Sequence, residues 1–331
     1  MGSRLPLIAI TGASGFVGQY LTRWLLERDH PVLAVTRSDN RSRAEARRIP
    51  DRPGIADLRG AFAGAHAVVH LAARAHLMRD LAGDPLSAYR ETTVELTRGA
   101  LRAAAEAGCR LFVFASSVKA MGERTTAPWN EDTTPHPTDP YGISKLEAER
   151  VVSEGGARLG IQTVSIRFPA IYGPGMRANM LRLFGAVARG MPLPLGSIAN
   201  RRSLLFVGNA AAVLEAMVAA GETPSPCYLV SDGEDVSTPE LVRAIAHSVG
   251  RRARLISVPL PLFRLAGRIG DRLPPWLPWP MTSTRVERLM DSLQVDSSRI
   301  QRELGFVPPY SLAEGMRETA VWHASLSERT A

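Results

Sequence analysis

The chain has 331 residues, of which 45% are hydrophobic and 22% charged, with a formal net charge of +8. Such a balance describes a globular protein with an ample core and excludes an intrinsically disordered one. No apolar run reaches the ~20 residues of a membrane helix, so no integral membrane segment is expected. Nor is there a charged, apolar and small-residue leader at the start. Cys109 and Cys227 stand alone, without metal-ligand or redox spacing; they read as small packed residues of a cytoplasmic protein, with no metal.

A basic balance can signal nucleic acid. Here, however, the arginines are dispersed, with one dense cluster from Arg37 to Arg48. The excess is read as sites for phosphate-bearing small molecules, with no nucleic-acid partner.

Leu5 to Thr11 predicts a first buried strand and Gly15 to Arg28 a helix. Between them stands Thr11-Gly12-Ala13-Ser14-Gly15-Phe16-Val17-Gly18. Glycines at a strand-to-helix junction permit a tight turn and let a pyrophosphate approach the backbone, where the helix N-terminus stabilises its charge. Their spacing is three and three, unlike the two and three of the usual dinucleotide fingerprint, but the position directly after an apolar strand marks a dinucleotide loop.

A second strand is expected from Pro31 to Arg37, ending beside the adenosine ribose. An acidic residue there accepts from the ribose hydroxyls of NAD, whereas arginine accommodates the 2′-phosphate of NADP. The chain has Thr36-Arg37-Ser38, with Arg41 and Arg43 close behind and Asp39 slightly late. This favours NADP(H) over NAD(H). Asp57-Leu58, at the end of a short apolar stretch, is a candidate for the adenine.

Ala67 to Ala73 predicts another buried strand, and Pro85 to Ala107 a long helix closed by Gly108. The next strand, Arg110 to Ser117, ends in two serines. Ligands of open α/β sheets bind beyond the carboxyl ends of the strands, so a hydroxyl there can reach a substrate alcohol or carbonyl; it can equally cap the following turn. A Thr- and Pro-rich loop, Gly122 to Pro140, leads to a helix from Tyr141 to Leu159.

On that helix Tyr141 and Lys145 share one face. Only two of the forty basic residues are lysines, and lysine offers a compact charge with a tunable pKa that arginine lacks. A nearby cation lowers the pKa of a phenol from about 10. Tyr-x-x-x-Lys therefore reads as an acid/base pair, although the same spacing occurs in solvated helix faces.

Thr163 to Phe168 is the next predicted strand. Beyond about Ile171 the rhythm changes: Gly, Pro and Arg become frequent, and short strands mix with helices such as Ser237 to Val249. Residues 1–170 are read as a dinucleotide-binding domain. Residues 171–331 are read as mainly a smaller α+β substrate domain, with about 203–236 returning to the first. The Pro- and Trp-rich stretch Pro259 to Thr282, with Arg264, Arg268 and Arg272, is read as a lid or packing segment in preference to a membrane contact.

Glycine loop, strand-terminal serine and Tyr-x-x-x-Lys occur in the order a hydride-transfer site needs. With them stand His70-Leu71-Ala72-Ala73, Arg167, Tyr172-Gly173-Pro174-Gly175, Leu193-Pro194-Leu195-Gly196, Arg201-Arg202 and Val295-Asp296. Over nearly its whole length the chain resembles the extended short-chain dehydrogenase/reductases of the nucleotide-sugar epimerase/dehydratase group. Within it, Ser116 to Glu123 and Ser231-Asp232-Gly233 are similar to bacterial polysaccharide-biosynthesis enzymes that epimerise or reduce UDP-N-acetylhexosamines at C4.

The resemblance implies a doubly wound Rossmann sheet. It also implies that Tyr141 exchanges a proton with the sugar 4-hydroxyl while Ser117 hydrogen-bonds the same oxygen. Lys145 would bind the nicotinamide ribose and depress the Tyr141 pKa. Gly12, Ser14, Gly15, Phe16, Val17, Gly18, Leu71, Ala72, Ala73 and Pro169 would line the cofactor. Lys119, Asn179, Arg202 and Arg288 would face the nucleotide and its diphosphate. Two positions depart from the group: Ala120-Met121-Gly122 lacks an aromatic residue, and Asn209 replaces an aspartate. Glu131-Asp132 sits in the active-site loop, but Val118 and Lys119, not an acid/base pair, follow Ser117, which disfavours C6 dehydration.

The leading expectation is a cytoplasmic, homodimeric reductase of a UDP-4-keto-6-deoxy-N-acetylhexosamine in polysaccharide or O-antigen biosynthesis. The alternative is a UDP-glucose or UDP-N-acetylglucosamine 4-epimerase with tightly bound NAD. A non-nucleotide ketone reductase and a non-catalytic dinucleotide sensor stand further off.

Overall fold

The computed structural model describes residues 5–37, 43–72, 84–273 and 281–328. In chain order these form β1 (Ile8–Thr11), α1 (Phe16–Leu26), β2 (Val32–Thr36), β3 (Glu45–Arg48), α2 (Ile55–Phe62) and β4 (Ala67–His70). Next, α3 (Pro85–Tyr89) passes through a π-helical segment, Arg90–Glu95, into α4 (Leu96–Glu106). Then come β5 (Leu111–Ser117), a 3₁₀ turn Val118–Ala120, α5 (Pro140–Leu159), β6 (Gln162–Phe168), β7 (Ala170–Tyr172) and α6 (Ala178–Ala188). The remainder comprises β8 (Arg202–Phe206), α7 (Val207–Ala220), β9 (Cys227–Leu229), β10 (Asp235–Val236) and α8 (Thr238–Ser248). The last four helices are α9 (Leu260–Arg272), α10 (Ser283–Met290), α11 (Ser298–Leu304) and α12 (Leu312–Glu328).

Seven strands form one sheet in the order β3-β2-β1-β4-β5-β6-β9, every pairing parallel. Parallel strands buried on both faces read as continuous apolar runs, and Val32–Thr36 and Ala67–His70 are buried at every position. One apolar cluster joins α1, α7 and α8 to one face of the sheet; another packs Leu58, Phe62, Leu101, Ala104, Ala148 and Val152 on the other. The strand order reverses between β1 and β4, which opens a ligand crevice at their carboxyl ends.

Three readings need adjustment. The helix expected over Pro85 to Ala107 contains the π-helical segment, where Thr92 Oγ1 donates to Ala88 O at 2.8 Å. Residues Glu45–Arg48 of the basic cluster form an edge strand, largely exposed, while Arg41 lies outside the described residues. Asp57 stands in the first turn of a helix that the sequence reading did not contain. After Phe168 the chain builds a second, three-stranded sheet, β10-β8-β7. It then returns to the large sheet through β9, in register with Ser165–Arg167.

Candidate active site

The glycine loop sits at the crevice. Gly12 has φ +71°, and a Cβ there would stand 2.9 Å from Ala72 N; one on Gly18 would stand 2.2 Å from Gly12 O. Neither position tolerates a side chain, so the loop stays narrow where β1 meets α1. Gly15 caps α1 with extended backbone and no side-chain bond of its own, leaving the helix N-terminus open to an anion. Ser14 and Val17 lie in the same turn, Phe16 packs beneath Gly175, and Leu71 and Ala72 face Gly12. This bare loop fits a dinucleotide pyrophosphate. Ala73 lies outside the described residues.

Thr11 joins loop and β4: its Oγ1 is 2.8 Å from His70 Nδ1 and accepts from Ala72 N at 3.3 Å. Burial and the nearby Lys145 lower the His70 pKa to about 3. The imidazole is therefore neutral and structural at ordinary pH.

One strand over from β4, β5 delivers Ser117, and α5 delivers Tyr141 and Lys145. The start of α5 is fixed by Asp139, whose Oδ1 accepts from Tyr141 N at 3.0 Å, with Pro140 in the first turn. Gly142 lets the helix approach the 3₁₀ turn, because a Cβ there would meet Lys119 O at 2.3 Å. Burial pushes the Tyr141 phenol up to about 12, and the neighbouring Ser117 hydroxyl opposes the shift. Tyr89 closes the other side edge-on, with ring centroids 5.7 Å apart.

Lys145 is buried. Its Nζ donates to Ala115 O at 2.8 Å and lies 4.6 Å above the Phe114 ring, against 6.0 Å from the Tyr141 centroid. Burial lowers the Lys145 pKa to about 8, with Glu149 opposing.

Glu149, one turn further along α5, was missed by the sequence reading. It accepts from Ser116 Oγ at 2.5 Å and from Arg167 Nε and Nη2 at 3.0 and 2.7 Å, with both side chains 8% exposed. The spacing Tyr141-Lys145-Glu149 on one helix face was the available signal. This buried brace ties β5, α5 and β6 together directly behind the serine. Arg167 also turns Nη1 to the Sδ of Met121, one of the two departures from the group.

A second cationic group borders the site. Lys119 is half-buried, and its pKa is lowered by burial while Asp139 and Glu123 oppose and Arg288 and Arg202 reinforce the shift. Arg202, at the start of β8, donates to the carbonyls of Arg288 and Asp291, and its buried Nε has no partner among the described residues. Arg288 on α10 reaches Asp139 Oδ2 at 3.3 Å. Lys119, Arg202 and Arg288 thus lie together near Asp139 at the N-terminus of α5, a cationic group of the kind that can hold an anion. Glu123 holds the loop over them by accepting from Thr138 N and Asp139 N at 3.0 and 2.9 Å.

The remaining candidates stand on other elements. Arg37 directly follows β2, with its side chain 65% exposed, 3.9 Å from Asp51. Asp57 accepts from Gly54 N at 2.9 Å, and Leu58 turns into the core at 2% exposure. Asn179 is exposed in the first turn of α6, which it does not cap, while Pro169 is buried between β6 and β7. Glu131 is a tie rather than an acid catalyst: it accepts from Leu229 N at 2.8 Å and pairs with Arg299. Asn209 bridges Asp232 and both backbone groups of Tyr310. Among the described residues no group of histidine, cysteine and acidic side chains could hold a metal, and no helix is long and apolar enough to cross a membrane.

Comparison with known proteins bears on this arrangement. The model of the NAD dependent epimerase/dehydratase family matches residues 8–229. The UDP-glucose 4-epimerase of Vibrio cholerae is 35% identical over 318 residues, covering 95% of this chain and 94% of that protein. The N-acetyl-alpha-D-glucosaminyl-diphospho-ditrans,octacis-undecaprenol 4-epimerase of Escherichia coli O157:H7 is 29% identical, covering 94% and 93%. Among solved structures, MoeE5 in complex with UDP-glucose and NAD superposes with a TM-score of 0.75 at 26% identity, covering 98% of this chain and 99% of that one. The UDP-N-acetylglucosamine 4-epimerase from Bacillus cereus shares the fold, with a TM-score of 0.78 at 23% identity, covering 96% and 99%.

Proposed function

The chain belongs to the NAD dependent epimerase/dehydratase family, and from that premise we propose a nucleotide-sugar oxidoreductase acting at C4, with 4-epimerisation as its net reaction. The observation that carries this reading is the juxtaposition of Ser117, Tyr141 and Lys145 with the Lys119, Arg202 and Arg288 cluster. One group handles a sugar hydroxyl and the other a diphosphate. Similarity to two 4-epimerases over more than nine-tenths of the chain supports it.

Bound along the glycine loop, a nicotinamide dinucleotide supplies the hydride acceptor and donor. The chain's own residues do the rest. As the phenolate, which the neighbouring Lys145 ammonium and a bound dinucleotide would favour, Tyr141 takes the proton of the 4-hydroxyl as C4 is oxidised and returns it when the alcohol re-forms. Ser117 donates to the same oxygen and holds it within reach. Lys145 orients the ribose beside Pro169. Arg202, Lys119, Arg288 and Asn179 fix the nucleotide diphosphate, so that the sugar alone is free to turn.

Incubation of the purified protein with UDP-glucose and UDP-N-acetylglucosamine, read by product NMR, tests this. Formation of the C4 epimer without added cofactor is the expected result. No turnover of either sugar overturns it.

Arg37 favours a second reading, NADPH-linked reduction of a 4-keto sugar, because it follows the second strand, where the sequence leads one to expect a 2′-phosphate contact, and its guanidinium is exposed. A charge-assisted contact contributes about 1.5–3 kcal/mol, roughly ten- to a hundredfold in affinity. Calorimetry then shows NADPH binding more tightly than NADH, and Arg37→Asp reverses the order. Tighter NADH binding by the unaltered protein removes this reading.

The protein is further proposed to be a cytoplasmic homodimer joined through α3–α4 and α5, which pack side by side. Light scattering that shows a monomer at micromolar concentration would rule the dimer out.

A further inference from the structure

Helix α9 packs one side of itself against the molecule. Phe263 and Gly267 are buried, Phe263 joins Ile198 and Val286 in a small apolar cluster, and a Cβ on Gly267 would touch Ser283 of α10. Roughly opposite on the helical wheel, Leu262, Leu265 and Ile269 are 53%, 53% and 42% exposed. Arg264, Arg268 and Arg272, each four residues apart, run as a row along one flank of this apolar stripe, all exposed. Among the described residues none of the three makes an ion pair or hydrogen bond. The acidic residue of the helix, Asp271, is exposed on the side next to α10, where it accepts from Ser283 N at 3.0 Å.

An outward apolar stripe bordered by arginines is the arrangement of a helix that lies in a membrane interface. We propose that α9 docks the protein on the surface of an acidic phospholipid bilayer, with the three apolar side chains among the acyl chains and the arginines among the headgroups. A folded protein partner fits less well. Three side chains bury far less than the ~800 Å² per partner of a specific protein interface, whereas a bilayer needs no complementary shape. The net charge of +8 adds long-range attraction to the same surface. Through α10, which carries Arg288, the docked helix lies next to the diphosphate cluster.

Flotation of the full chain with phosphatidylglycerol/phosphatidylcholine vesicles, and with phosphatidylcholine vesicles alone, tests the proposal. Binding to the acidic vesicles, reversed by high salt, is expected, with little to the neutral ones. Replacing Arg264, Arg268 and Arg272 together by glutamate should weaken binding by about a hundredfold or more. Replacing Leu262, Leu265 and Ile269 together by serine should weaken it by at least about tenfold. Circular dichroism confirms that both variants are folded. Absence of vesicle binding, equal binding to neutral vesicles, or wild-type binding by either folded variant overturns the proposal. So does wild-type self-association that the leucine variant abolishes without any vesicle binding, which would give this face to a second copy of the chain.

Discussion

Two lysines stand among forty basic residues, and both face the candidate site. Tyr141→Phe keeps the ring against Tyr89 and removes the transferable proton, so turnover should fall by about 10²–10⁴-fold with dinucleotide affinity nearly unchanged. Steady-state rates beside cofactor titration decide this; a loss below threefold would contradict the role. For Lys145 the folded pKa, about 8, lies below the ordinary 10.5. Below pH 8 both folded and unfolded chains carry the charge and the fold bears the full penalty; above 10.5 neither does. Stability contributed by this group therefore rises between those values, by something on the order of 3 kcal/mol. Urea unfolding of the unaltered chain and of Lys145→Met, compared at pH 8 and 10, should show the unaltered chain gaining relative to the variant. The tyrosine, lysine and serine were legible because their types and spacing are chemical. The orientation of Lys145 was not, because nothing in a spacing says that the ammonium turns to the carbonyl of Ala115.

At the level of elements, the brace from Glu149 to Ser116 and Arg167 locks α5 to two strands. Glu149→Gln leaves the buried arginine without its countercharge and should destabilise the fold by about 3–5 kcal/mol. The exposed pair Glu95–Arg98, removed by Glu95→Gln, should cost at most about 1 kcal/mol. Equal shifts of the two urea midpoints would show that the brace is not structural. Strands β1, β2, β4, β5 and β6 could be read from apolar runs and turn residues. The π-helical segment could not, since one inserted residue hides within a helical period; its back-bonding Thr92 becomes meaningful only once the Ala88 carbonyl is in place. Likewise, β3 is a short, largely exposed segment, three of its four residues charged, that forms a strand by pairing with β2 rather than by pattern. The Asp57 helix is short, and its capping by Gly54 resembles a turn in sequence.

For the whole molecule, the seven-stranded sheet is not contained in the first 170 residues. Its last strand, β9, pairs with Ser165–Arg167, and α7 covers the apolar face of α1. A chain ending at residue 170 leaves β6 as an open edge and exposes Leu21, Trp24 and Leu25, so it should aggregate or remain partly unfolded. One ending near residue 230 restores both contacts. Size-exclusion chromatography of the two truncations distinguishes them, and a monodisperse, cooperatively melting 170-residue fragment would contradict the expectation.

The return of β9 also sets an order in time. During synthesis every residue of the serine–tyrosine–lysine group has emerged some eighty residues before the strand that completes their sheet, since chains grow from the N-terminus at about 5–20 residues per second. For several seconds the nascent chain carries its chemistry on an unfinished scaffold, with one strand edge and one helix face uncovered. That interval, more than the finished fold, is when this protein is exposed to misassembly, and when a chaperone has something to hold.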